Sequence, residues 1–254
     1  MIHRLSMISA TGFITVSLFG QHAGPRMGRG DFALVRPEFG MANKVVQGAP
    51  YSAQAVTQFT QTLANGDHIQ RTTTASIARD SQGRTRMERS VGSIGALSAE
   101  RSGKAVMIFD PVAGKSYVLD ASSHTARSTA IPAARTEEAR NFERGRHMAS
   151  AKTEDLGTQV IQGVSAQGKR VTRSIPAGRE GNEKEIDIVT ETWYSPDLQV
   201  VVMSKTSDPR FGESVYQLNS LSRAEPDPAL FAVPSDYSVT QGRPMMRRGP
   251  GAAQ

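Results

Sequence analysis

The feature that most constrains the fold of this chain is the alternation of apolar and polar residues with a period of two. From Tyr51 to Leu63 one side of an extended backbone carries Tyr51, Ala53, Ala55, Phe59 and Leu63, and the other side carries mostly Gln and Thr. Successive side chains of a β-strand point to opposite faces, so the pattern predicts a half-buried strand. The chain is therefore expected to be mainly β.

Turn signals divide the alternating segments into hairpins. Asn65-Gly66 follows the first strand, and both residue types tolerate the positive φ of a tight hairpin turn, so a return strand is expected from His68 to Ala78. Short strands separated by turn residues continue from Ala105 to Ile131 and from Leu156 to Leu221. The sequence LQVVVMSKT at 198–206 is apolar on both faces near its centre, which is typical of a strand in the interior of a sheet.

Residues 226–231, PDPALF, predict one capped helical turn near the end of the folded region. Asp227 can accept a hydrogen bond from the first free N–H groups of the turn, and Pro228 suits its first position. Phe231 and Val233 are then expected to hold the turn against the sheet. The predicted fold is a single curved antiparallel sheet or half-barrel with a short helical element and disordered ends.

The chain divides into four regions by composition. We expect a signal peptide at 1–23, a Gly-, Pro- and Arg-rich linker at 24–43, an antiparallel β domain at 44–240 and a disordered basic tail at 241–254. Residues 133–152 contain helix-forming and charged residues without an apolar stripe, which predicts a charged helix or mobile connector between two halves of one domain. A linker between two domains is the alternative.

The N-terminus has the order of a secretory signal. A short basic start at Arg4 precedes an apolar run from Met7 to Phe19, which is followed by small and polar residues. This run is shorter than the roughly 20 residues that cross a bilayer. We expect cleavage after Gly20 or Ala23, export to the periplasm or the extracellular space, and no transmembrane span in the mature chain. An N-terminal strand or an uncut anchor are the alternatives.

The positive charge of the chain lies at its two ends. The formal net charge is +6, and residues 1–30 and 241–254 each hold three arginines and no acidic residue, so residues 31–240 are neutral. Binding of a polyanion requires a concentrated positive field. A nucleic-acid partner is therefore not expected. A local basic patch within the neutral region is the alternative.

No pattern of catalytic or metal-binding residues stands out. The chain has no cysteine, its five histidines lack metal-ligand spacing, and no nucleophile elbow or phosphate-binding glycine loop follows a strand. Glu183, Glu185, Asp187 and Glu191 could serve a glycoside hydrolase if two of them faced each other across a cleft. A polar face is the commoner reason for such a group, so we expect no enzyme, no metal and no cofactor.

The stretch from Gly181 to Val239 resembles a group of uncharacterised exported bacterial β-sheet proteins. The segments GAPYSAQAVTQFTQTLANGDHI, RDSQGRTRMER and FDPVAGKSYVLD resemble the same group. The ending, a polar strand before PDPALFAVPSDY, is similar in layout to the periplasmic lipoprotein-carrier proteins. That second resemblance implies a half-barrel whose concave apolar face can hold an acyl chain or a protein partner.

These features lead to three functional hypotheses. The first is an envelope binding protein that takes a lipid, another hydrophobic ligand or a protein segment. The second is a structural or protein-interaction module of the envelope without a small ligand, and the third is a hydrolase that uses the acids from Glu183 to Glu191. The candidate ligand-binding residues for the first hypothesis are Phe59, Leu63, Trp193, Val200, Val202 and Tyr216.

Overall fold

A computed structural model describes residues 45–90, 104–131 and 151–242, and the strands of these residues form one open, curved sheet. The expected signal peptide, linker, residues 133–150 of the connector and the tail beyond Gly242 lie outside the described residues. The strands are β1 Tyr51–Thr62, β2 His68–Arg79, β3 Thr85–Ser90, β4 Lys104–Asp110, β5 Lys115–Asp120, β6 Thr125–Ala130, β7 Ala151–Ile161, β8 Val164–Ile175, β9 Ile186–Ser195, β10 Val200–Asp208, β11 Gly212–Ser222 and β12 Ser238–Gln241.

The strand order across the sheet is β12-β6-β5-β4-β3-β2-β1-β11-β10-β9-β8-β7. Neighbouring strands are antiparallel, except that β12 pairs with β6 in parallel. The predicted fold class is thus confirmed, with β10 in the interior as its apolar pattern indicated. No helix of the described residues is both long and apolar enough to cross a membrane.

Two boundaries differ from those expected from the sequence. Ala151 and Lys152, assigned to the connector, begin β7, and Gln241, assigned to the tail, ends β12. Both strand ends carry small or polar residues at the margins of the sheet, where there is no apolar alternation to identify them. A strand at the edge gains its hydrogen bonds from one neighbour, whatever its side chains are.

The sheet has two distinct faces, set by the pairing of β1 with its neighbours. We call the front the face that carries Tyr51, Ala53 and Ala55 of β1, and the other face the back. Cross-strand partners place Ile77, Met87, Tyr216 and Leu218 on the front as well. These residues belong to the main core cluster and are at most 9% exposed.

A buried arginine joins the start of β1 to the turn between β9 and β10. Arg79 at the end of β2 donates to the carbonyl oxygen of Ala49 from Nε at 3.0 Å and from Nη2 at 2.8 Å, and to the carbonyl oxygen of Leu198. Its guanidinium lies 4.8 Å from the ring centroid of Tyr51. Hydrogen bonds and ring contact together compensate the removal of this cation from water.

The segment from Arg223 to Tyr237 crosses the back of the sheet. It contains the predicted turn, a short 3-10 helix at Pro228–Phe231 in which Asp227 Oδ1 accepts from the N–H of Ala229 at 2.9 Å. Phe231 is 3% exposed, and Val233 and Tyr237 pack on the second core cluster. That cluster consists of Val106, Ile108, Leu119 and Ala126. The crossing segment then continues into β12 at the edge of the sheet.

We predict that Phe231→Ala lowers the free energy of unfolding by about 3–5 kcal/mol, because it removes a buried ring from the contact between the crossing segment and the sheet. Leu230→Ala is the matched control, since Leu230 is the adjacent residue and is 38% exposed. Urea unfolding of both variants measures the difference. Equal losses for the two variants would show that the Phe231 ring does not anchor the segment.

Candidate functional site

A cleft of about 660 Å³ lies on the front of the sheet, at the end formed by β7, β8, β9 and β10. We call it the β7–β10 cleft. Tyr194 and Val201, the latter only 4% exposed, are the two large apolar side chains of its lining, and the polar side chains come from β7, β8 and β9. Its lining residues are Asp155, Gly157, Thr158, Gln167, Gly168, Lys169, Thr192, Tyr194 and Val201.

Two β-bulges shape the strands of this cleft. In β7 the register shifts between Asp155 and Gly157, where Gly157 has a φ of +76° and donates its N–H to Asp155 Oδ1 at 2.7 Å. In β10 the register shifts between Val201 and Met203. A bulge increases the local twist and bend of a strand. The cleft therefore lies where two of its four strands depart from regular pairing.

Gly168 and Trp193 pack against each other on the back, directly behind the cleft. The two residues are cross-strand partners, and a Cβ atom at Gly168 would lie only 2.5 Å from Cζ3 of Trp193. Only glycine leaves room for the indole ring to lie flat on β8 in this way. Since Trp193 points to the back, the next residue, Tyr194, points to the front and into the cleft.

Charged side chains on the back form a ladder across four strands. Glu154 on β7 accepts from Lys152 at 2.8 Å and from Arg170 on β8 at 3.2 Å. Arg170 also donates to Glu191 on β9 at 2.7 Å, and Lys205 on β10 lies opposite Glu191. Lys152, followed by Arg170, holds the pKa of Glu154 below its usual value, because both cations favour the ionised carboxylate.

The front has fewer acidic side chains, and each of them already accepts hydrogen bonds. Asp208 is bound by its neighbour Arg210, with Nη2 at 2.7 Å and Nε at 3.0 Å. This contact lowers the pKa of Asp208 from its usual 3.8, and the charge of Arg173 adds to the effect. Asp155 accepts from Gly157, and Asp120 accepts from the hydroxyl of Ser122 at 2.6 Å.

The residues singled out from the sequence do not line this cleft. Val200, Val202 and Tyr216 are buried at 5%, 0% and 4% exposure within the core cluster. Trp193 is half-buried on the back, as described above.

The two candidates from the first predicted strand also lie away from the cleft. Phe59 is half-buried on the front of β1, and Leu63 is exposed beyond the end of that strand. The cleft residues Tyr194 and Val201 are sequence neighbours of Trp193, Val200 and Val202, so the apolar segments were identified but not the side chains that face the cleft.

The acids considered for hydrolysis lie on the other side of the sheet or in a loop. Asp187 accepts from the hydroxyl of Ser174, and Glu191 is paired with Arg170, both on the back. Glu183 and Glu185 are exposed in the loop before β9. Within residues 45–90, 104–131 and 151–242, no three His, Asp or Glu side chains are grouped so that they could hold a metal ion.

Comparison with known proteins gives similarity of structure alone. No protein-family model matches the chain, and no curated protein sequence does. The structure of the MucA/MucB complex of Pseudomonas aeruginosa contains a chain that is 14% identical, with a TM-score of 0.44, over 78% of this chain and 60% of that one. The chain thus spans about three fifths of the length of that neighbour.

Two further structural neighbours are matched by this chain over nearly their whole length. An uncharacterized conserved protein from Thermus thermophilus is 10% identical over 84% of this chain and 99% of its own, with a TM-score of 0.43. A LolA superfamily protein from Nitrosomonas europaea is 9% identical over 75% of this chain and 94% of its own, with a TM-score of 0.31. The loose similarity to lipoprotein-carrier-like proteins expected from the sequence is therefore found among the structural neighbours.

We predict that Asp208→Asn lowers the free energy of unfolding by about 1 kcal/mol at neutral pH, because it removes a carboxylate that is held by two bonds from Arg210. The folded-state pKa of Asp208 lies below its usual 3.8, so its contribution is fully present above pH 3.8 and is lost as the pH falls through the folded-state pKa. Denaturant unfolding at a series of pH values should show the two proteins converging in acid.

Asp197→Asn is the control for this series, since Asp197 is exposed in the turn before β10 and its carboxylate forms no hydrogen bond with a described residue. This control should have the stability of the wild-type protein at neutral pH. A difference between wild type and Asp208→Asn that persists unchanged below pH 3 would contradict the assigned role of the ionised carboxylate.

Proposed function

We propose that this chain is a non-catalytic binding protein of the cell envelope, and that its ligand occupies the β7–β10 cleft. The observation that carries the proposal is the cleft itself, whose volume of about 660 Å³ is within the range of roughly 300–1,000 Å³ found for small-molecule sites. The ligand is an amphiphile with a hydrophobic part, because Tyr194 and Val201 provide an apolar wall beside polar side chains.

The mixed lining supports an amphiphile over a purely apolar ligand. Lys169, Asp155 and Thr192 border the same volume as Tyr194 and Val201. Lys169 and Asp155 are exposed, so an apolar ligand can bind while they stay hydrated, but only a ligand with a polar end can also form hydrogen bonds with them. A molecule with one polar end and one apolar end satisfies both parts of the lining.

A protein-interaction module without a small ligand is the second candidate, and a different observation favours it. Val202 and Tyr216 are buried in the main core cluster, and so is Val201 of the cleft lining at 4% exposure, so little apolar surface is left exposed to a ligand. Under this alternative the cleft would be only a surface depression, and binding of a small apolar probe there would not occur.

We predict that Thr158→Trp weakens binding of phenylnaphthylamine, a neutral apolar dye, by about tenfold or more, since tenfold corresponds to ~1.4 kcal/mol and the indole would fill part of the cleft. Thr158 lines the cleft from the edge strand β7. Isothermal titration calorimetry measures the affinity without interference from the new tryptophan.

Gln159→Trp is the matched control, because Gln159 is the next residue of the same strand, is equally exposed and points to the back. It should bind the dye as the wild type does. If the wild-type protein takes up no dye, and organic extraction of the purified protein yields no amphiphile by mass spectrometry, the interaction module replaces the binding protein as the proposed function.

Export rests on the sequence of the first 23 residues. We predict that N-terminal sequencing of the protein recovered from a bacterial host gives a chain beginning at Gln21 or Gly24. Ile14→Arg places a charge in the apolar run and should leave an uncleaved chain in the cytoplasm. Ala33→Arg, in the expected linker, should be processed normally. A wild-type chain that keeps Met1 after cell fractionation would remove the support for export with cleavage.

A further inference from the structure

The cations on the two faces of the sheet differ in whether they form ion pairs with acidic side chains. On the back, Arg86 and Lys104 both pair with Glu88 at 3.1 and 2.9 Å. The cations of the charge ladder are also paired, and Lys205 contacts Glu213 at 2.8 Å. Of the cations that the strands place on the back, Lys115 alone forms no ion pair with a described residue.

On the front, most of the cations form no ion pair with a described residue. Its strands carry five cations that form no ion pair with any described residue, and the front-face acids Asp120, Asp155 and Asp208 accept hydrogen bonds from other groups. The buried Arg79 is bound by backbone carbonyls and is a separate case. The five cations are Arg71, Arg89, Arg127, Lys169 and Arg173, assigned to the front by cross-strand pairing.

Two of these five cations belong to the strand that forms the floor of the cleft. Lys169 lines the cleft, and Arg173 follows four residues later on the same face of β8, about 13 Å further along the strand. Their long side chains cover part of that distance. The other three lie on β2, β3 and β6, on the far side of β1.

We propose that the ligand of the β7–β10 cleft is an anionic amphiphile, whose acidic head group binds Lys169 and Arg173 while its hydrocarbon part contacts Tyr194 and Val201. The proposal rests on the proposed function and specifies the ligand class. The chemistry required is a carboxylate, phosphate or sulfate joined to an apolar body. A free inorganic anion lacks the apolar part and would have no contact with the wall of the cleft.

The physical reason is that neither cation forms an ion pair with a described residue. The nearest carboxylates are engaged elsewhere: Asp155, opposite Lys169, accepts from the N–H of Gly157, and Asp208, whose pKa the charge of Arg173 helps to lower, is bound by Arg210. A cation that is paired inside the protein gains little from a ligand anion, because the internal contact must first be lost. Lys169 and Arg173 have no ion pair to lose, and both are exposed. Their attraction for an anion is screened by salt over about 8–10 Å, so it acts on a head group that is bound close by.

Two dyes with the same aromatic framework test the charge of the ligand. Anilinonaphthalene sulfonate is phenylnaphthylamine with an added sulfonate group, so the ratio of their affinities isolates the contribution of the negative charge. We expect the wild-type protein to bind the sulfonate dye about fivefold more tightly or better at low salt, as for one close contact between unit charges near water. The advantage should shrink as ionic strength rises.

The variant Lys169→Gln, Arg173→Gln should lose this advantage and bind both dyes with similar affinity. A matched control, Lys115→Gln, Lys152→Gln, makes the same change in net charge on the back and should retain the preference for the sulfonate dye. Lys169→Arg, Arg173→Lys keeps both charges and should also retain it, which separates charge from side-chain shape. Inorganic phosphate at equal concentration should not displace either dye.

The outcomes separate this inference from the proposed function. If the neutral dye binds in the cleft and the sulfonate dye binds no better, the inference is overturned while the binding function stands. The same conclusion follows if the back-face control loses the preference to the same extent, or if inorganic phosphate alone displaces the sulfonate dye. If neither dye binds to the wild-type protein, the proposed function itself fails.

Discussion

The interaction on which the rest of the sheet depends is the buried guanidinium of Arg79. It links the carbonyl oxygens of Ala49 and Leu198, which belong to the start of β1 and to the turn before β10. The strands β1, β11 and β10 lie between these two contact points. Because an unpaired buried cation would cost several kcal/mol, Arg79 favours the curvature that brings both carbonyl oxygens within its reach. Leu198 is only 1% exposed and belongs to the same core cluster as Tyr51.

Within this curved sheet, single residues determine which side chains point into the cleft and which point to the back. The bulge in β10 places Val201 in the lining of the cleft, although it is only 4% exposed, and the glycine at 168 allows Trp193 to lie on the back. Tyr194 is then directed to the front. The apolar wall of the cleft is therefore a consequence of one inserted residue and one missing Cβ atom, and it does not require a long apolar stretch.

Much of the fold could be predicted from the sequence, because strand alternation and turn residues are local signals. The hairpin at Asn65-Gly66 and the Asp227-Pro228 cap lie where the sequence predicted them. The two-residue turn was wrong in detail, because only Gly66 has a positive φ and the loop runs from Leu63 to Asp67. The site could not be predicted to the same degree. A bulge shifts the alternation by one residue, and β12 is a short polar strand whose pairing depends on the crossing segment that precedes it. Neither effect is visible in the alternation of the sequence.

The charge distribution shows why composition is a poor guide to binding in a sheet protein. Residues 31–240 are neutral in sum, which argued against a polyanionic partner. Neighbours in a strand point to opposite faces, so a neutral segment can still divide its charges between two surfaces. Lys169 and Arg170 are adjacent in the sequence, yet Arg170 is paired with two glutamates on the back. Lys169 faces the cleft opposite Asp155 and forms no ion pair with a described residue. The proposed preference for an anionic amphiphile depends on that separation and not on the net charge.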